Sequence, residues 1–213
     1  MSESKQQKLQ NKIQKLVILS VLVAIVFILQ YFGLVISIPG TGLSVTLTLV
    51  PIVLGAVLYG PLFGAILGSV FGGVVAFQVF QGLAGAFSAA MYMKFPILTL
   101  FLCVFKGFAC GFVPGLISRV FAKKNLYLSV ILSAIAAPIV NTGIFVFGLV
   151  VFYRDIAAQY AGDASLLAFI IIGIVGINFI IEFFVNLIAA PVLVRVIRAL
   201  EKTIGFRLNT DIV

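Results

Sequence analysis

Lys106 stands in the stretch TLFLCVFKGFACGFV, residues 99–113, with seven uncharged residues on either side. An ammonium group in such a run needs a counter-charge or an anionic ligand. Three further polar residues, Asn178, Glu182 and Asn186, recur every four positions in another apolar run. That spacing puts them on one face of a helix. Asn141 and Thr142 follow Pro138, which leaves a backbone carbonyl one turn earlier unpaired. Gln78 and Gln81 close a third apolar run. A charged side chain at the centre of a bilayer costs about 3 kcal/mol even on the mild insertion scale. These groups are therefore expected to converge inside a helix bundle. Two roles stand open for Lys106: a structural ion pair with Glu182, or a cation for a ligand.

Other chemistry has little to work with. The chain has no histidine, which removes the usual proton shuttle. Cys103 and Cys110 are its two cysteines. Seven residues of helix separate them by roughly 10 Å, too far for a disulfide. Without histidine they make no plausible zinc or haem site. No activated nucleophile, paired acid or phosphate cradle is found. The expectation is a protein that is not an enzyme and holds no cofactor or metal.

The elements that must position these groups are membrane helices. The chain has 213 residues, 63% of them hydrophobic and only 9% charged. Soluble domains carry about 25% charged residues. Apolar runs cover nearly the whole chain, as in a polytopic membrane protein. The expected fold is all-α, a compact six-transmembrane-helix bundle forming one domain over 1–213. Its spans are placed near 15–36, 45–59, 62–80, 96–118, 127–152 and 166–194. The second is short and is expected to lie tilted or against a loop. Residues 16–36 are too long for a signal-peptide core and read as a retained first helix.

The net charge of +8 falls in short segments between the apolar runs. That placement is a topology signal rather than a nucleic-acid surface. With both termini cytoplasmic, eleven of the fourteen Lys and Arg lie inside: Lys5, Lys8, Lys12, Lys15, Arg119, Lys123, Lys124, Arg195, Arg198, Lys202 and Arg207. Lys94 and Arg154 fall outside. Three segments then face outward, 37–46, 80–95 and 153–165. Gly- and Ala-rich 80–95 suits a lid over a pocket.

Gly60, Gly64, Gly68 and Gly72 recur every four residues, and Gly107, Gly111 and Gly115 repeat the pattern on the next long helix. In lipid, close backbone approach is what binds helices, so the two rows predict a tight seam. Ser20 and Ala24 form a single small-xxx-small pair on the first helix. Internal packing and a docking face for a partner both fit it.

The stretch LTLVPIVLGAVLYGPLFGAILGSVFG, residues 47–72, resembles the substrate-binding S components of energy-coupling factor (ECF) vitamin transporters. An apolar segment with proline, a Gly-Pro turn and a Gly-rich helix carry the likeness, which covers most of the chain. Among the types, the chain looks most like the pantothenate one; cobalamin, folate, niacin, riboflavin and queuosine-precursor types share the architecture. The resemblance implies a vitamin ligand and a pocket near the outer face. It implies a transmembrane scaffold subunit docked on helix 1, where Ser20 replaces the first alanine, and two ATPase subunits beyond it. It also implies a loaded subunit that topples in the bilayer. For that pocket the candidate ligand residues are Lys106, Asn141, Asn178, Gln81, Gln78, Tyr92 and Tyr153. A stand-alone channel or exchanger would want a continuous polar path or inverted repeats, and neither is visible.

Overall fold

The computed structural model describes residues 3–33, 36–38, 43–45, 47–162 and 165–204. Helix α1 (Glu3–Ile28) runs into a π-turn, Leu29–Gly33, and a short hairpin follows, β1 (Ile36–Ile38) and β2 (Leu43–Val45). The two strands are antiparallel, with Ile36 opposite Val45. Then come α2 (Leu49–Tyr59), α3 (Pro61–Phe80), α4 (Gly85–Lys94), α5 (Pro96–Phe121), α6 (Leu126–Phe152) and α7 (Arg154–Ala161). A last helical stretch joins α8 (Leu166–Ala168), a π-helical segment Phe169–Gly176 and α9 (Ile177–Ile204).

Among the described residues, five helices are long and apolar enough to cross a membrane: Leu9–Phe32, Pro61–Phe80, Pro96–Phe121, Leu126–Phe152 and Phe179–Lys202. The sixth apolar segment is α2, whose 11 residues extend roughly 16 Å, about half the hydrocarbon thickness. Nine of those residues are buried, so α2 is a plug inside the bundle. It starts later than the expected 45 because Leu43–Val45 pairs as a strand. Residues 80–95 and 153–165, read as loops, each hold a helix. The turn after α3 is confined to a few residues by Gly82 and Gly85, both at positive φ. The Ala-rich stretch beyond them then has good helix formers.

The two glycine rows meet. A Cβ on Gly64 would collide with the Gly111 carbonyl, one on Gly68 with the Gly107 carbonyl, and one on Gly72 with the Cys103 carbonyl. Gly115 rests on Pro61. Gly60, placed in the same row by its spacing, works as the turn between α2 and α3, with φ 86°. On the other side of the bundle, Val130, Ala134 and Ala137 of α6 share one packed cluster with Ala190, Leu193 and Ile197 of α9. Helix α1 is the least covered of the long helices; Leu22 and Val26 are its buried residues.

The seam makes a sharp contrast testable. Gly68→Ala forces its methyl against backbone that cannot rotate away, and overpacking of this kind costs about 1–3 kcal/mol. Gly73 has open space where a Cβ would stand. Thermal unfolding in detergent is expected to show a clear loss of Tm for Gly68→Ala and none for Gly73→Ala.

Candidate functional site

At the end of the bundle that carries α4 and α7, a cavity of about 100 Å³ lies between α3, α4, α5 and α6. Val75 and Val79 form one wall, Ala84, Ser88 and Met91 the roof, and Thr99, Leu102, Cys103, Lys106 and Phe145 the rest. Lys106 is the one charged side chain among these, and it is half-buried. Ten residues from the start of α5, it lies roughly 15 Å along the helix. Its Nζ sits 4.9 Å from the centroid of the Phe145 ring. A ring face attracts an ammonium without neutralising it.

Below this level the interior stays polar. Asn141, one turn before Phe145, is 7% exposed, and its Oδ1 has no hydrogen-bond partner among the described residues. Glu182 and Asn186 are buried on α9, and Asn186 Nδ2 donates to the Glu182 carbonyl at 2.8 Å. Lys106 meets the Phe145 ring, and an ion pair at the cavity's end of the bundle joins Lys94 to Asp155.

Over residues 14–194, most of its length, the chain matches the family described as ECF transporter, substrate-specific component. It belongs to that family. No curated protein matches it. The chain is thus a substrate-specific subunit of an ECF transporter, a substrate-binding component and not the ATPase. It is a multi-pass membrane protein, which in bacteria means the cell membrane. Its family implies a vitamin substrate and partners in an ECF module.

In this S component the roof is held from two sides. Lys94, in the last turn of α4, donates to both carboxylate oxygens of Asp155 in the first turn of α7. Phe87 of α4 packs edge-on against Tyr160 at 5.2 Å and against Phe169 at 6.2 Å. Beneath, Thr99 Oγ1 lies 3.0 Å from the Met91 carbonyl and 2.8 Å from that of Phe95. It also lies 2.7 Å from the buried Tyr153 hydroxyl. One threonine therefore ties the end of α4 to α5 and α6.

The residues proposed for ligand contact divide accordingly. Lys106 lines the cavity, Tyr153 backs its Thr99 wall, and Asn141 lies one turn deeper. Tyr92 is half-buried on the α4 side, edge-on to Phe80 at 6.2 Å. Gln81 is exposed at the end of α3. Gln78 turns to α1 instead: Gln30 Nε2 donates to its Oε1 at 3.1 Å, and its Nε2 donates to the Gln30 carbonyl at 3.1 Å. Thr48 Oγ1 joins Gln30 Oε1 at 3.3 Å. Asn178 falls at the start of α9, and its side chain lies outside the described residues. Thr99, Ser88 and Phe145 were not singled out beforehand. Phe145 had a usable signal, since it stands four residues after Asn141 on the same helical face.

Asp155 makes the clamp titratable. Its hydrogen bond from Lys94 holds its carboxyl below the ordinary value of 3.8. A depressed pKa contributes stability above the ordinary value and loses it as pH falls through the depressed one. Amide exchange of α4 is therefore expected to be insensitive to this clamp from pH 7 to 5 and to quicken below the carboxylate range. Asp155→Asn is expected to show the faster exchange already at pH 7.

Proposed function

We propose that this S component captures a small vitamin bearing a carboxylate, with pantothenate the best fit, in the cavity under α4. It then delivers the vitamin through a scaffold subunit coupled to two ATPases. The observation that carries the reading is Lys106: the one cation on the cavity wall, resting on an aromatic face with no carboxylate beside it in the lining. In a low-dielectric site an anion is drawn to such a charge far more strongly than in water. Hydroxyl and amide groups of the ligand find Ser88 and, one turn deeper, Asn141 with its unpartnered oxygen.

At about 100 Å³ the cavity is smaller than the 300–1,000 Å³ usual for small-molecule sites. Ligand entry therefore requires the roof to shift, and α4 is the element able to do so. The glycine seam under it has no slack. Orientation follows from the basic residues: Arg119, Lys123, Lys124, Arg195, Arg198 and Lys202 all belong to the end away from α4 and α7. Under the positive-inside rule that end and both termini face the cytoplasm, and the cavity opens outward.

Ser20 and Ala24 are exposed on α1, and Ser20 Oγ donates to the Leu16 carbonyl at 2.9 Å. The hydroxyl is satisfied within its own helix, which leaves a small, apolar strip facing away from the bundle. That supports docking of the scaffold and not internal packing.

Lys106→Met keeps the stem and deletes the charge. Equilibrium binding in detergent is expected to fall about 10- to 100-fold for the acid, the range of a lost charged hydrogen bond, and to hold for its neutral amide analogue. Normal binding of the acid by the double variant Lys106→Met with Glu182→Gln would make Lys106 a structural counter-ion. Ala24→Leu is expected to reduce co-purification of the scaffold and ATPases while ligand binding by the isolated subunit survives. Lost binding with assembly intact would place that face in the pocket or core.

A further inference from the structure

The seam of α3 and α5 also shapes a second concavity, on the lipid-facing side and unconnected with the vitamin site. It measures about 530 Å³ and is lined by Leu62, Ala65, Ile66, Ser69, Val70 and Phe108. Ala65 and Ser69, one turn apart, form a low floor, and Gly73 a turn further on has open space beside it. Leu62, Ile66 and Phe108 stand up around that floor, each well exposed. From Leu62 to Val70 the groove runs roughly 12 Å along α3, close to the depth of one leaflet's hydrocarbon.

One end of the groove is charged. Leu62 follows Pro61, and Pro61 packs on Gly115 of α5. Arg119 is one turn beyond Gly115 and three turns beyond Phe108, so it lies on the same face of α5 as Phe108. Phe108 and Phe112 stack along that face with centroids 5.4 Å apart. Arg119 is exposed, no hydrogen bond or ion pair within the described residues engages it, and exposed Lys123 follows one turn later.

An open apolar concavity with a guanidinium beyond one end matches an amphiphile with an anionic head. We propose that the groove seats one acyl chain of an anionic phospholipid in the leaflet on the Arg119 side, with its phosphate on Arg119 and Lys123. Arginine offers a planar donor fork that suits phosphate. The exposed cations at its end favour an anionic lipid over the apolar face of a partner helix.

The test uses the full chain purified in detergent and native mass spectrometry with phosphatidylglycerol or phosphatidylcholine of identical acyl chains. The wild type is expected to retain phosphatidylglycerol about fivefold better, the scale of a basic residue at an anionic surface. Arg119→Gln is expected to weaken that preference, and the double variant Arg119→Gln with Lys123→Gln to erase it, while a lipid adduct persists. Ser69→Leu, which fills the floor from the lipid side, is expected to lose both adducts; if it does not fold, the Arg119→Gln comparison decides. Equal retention of the two lipids by the wild type overturns the proposal, as does an unchanged preference in Arg119→Gln. Loss of scaffold co-purification with lipid retained in Ser69→Leu would assign the groove to a partner helix and also overturn it.

Discussion

Backbone-to-backbone contact between α3 and α5 is the constraint on which the rest of the bundle depends. Lipid supplies no hydrophobic force between helices, so the attraction must come from contact itself. Gly64, Gly68 and Gly72 against Gly111, Gly107 and Cys103 allow that contact over about two turns. With these two helices fixed, α2 is sealed between them and α6, and α4 packs over the end of the seam. The cavity lies where the seam ends, at Val75 and Val79, because side chains there no longer have to vanish.

The polar interior is arranged around the same body. Lys106 leaves α5 one residue before Gly107, so its stem emerges beside the seam and must run to the α6 side. There it meets the face of the Phe145 ring. The cost of a buried charge is eased by the ring, by partial exposure to the cavity and by a long flexible stem.

The long helices and the glycine seam were readable from the chain because both rest on periodicity within a helix, a local property. The short elements were not. Residues 85–94 and 154–161 look like loops in isolation and are held as helices by contacts such as Phe87 with Tyr160 and Lys94 with Asp155. The strand pair before α2 likewise depends on pairing between two separate segments. Gln78 was legible as a polar residue needing a partner, but which helix would supply it depends on packing, and α1 supplied Gln30. Phe145 escaped because a phenylalanine in an apolar helix carries no mark of function until a cation is set on its face.

The shortness of α2 has a bearing on how the chain is made. Eleven residues are too few to be recognised and released into the bilayer as an independent segment. Gly60, at positive φ, and Pro61, at the first position of α3, turn the chain back at once. During synthesis α2 and α3 therefore have to partition into the membrane together, as one hairpin. The plug is then held beside the first glycine row before α5, its eventual partner in the seam, has left the ribosome.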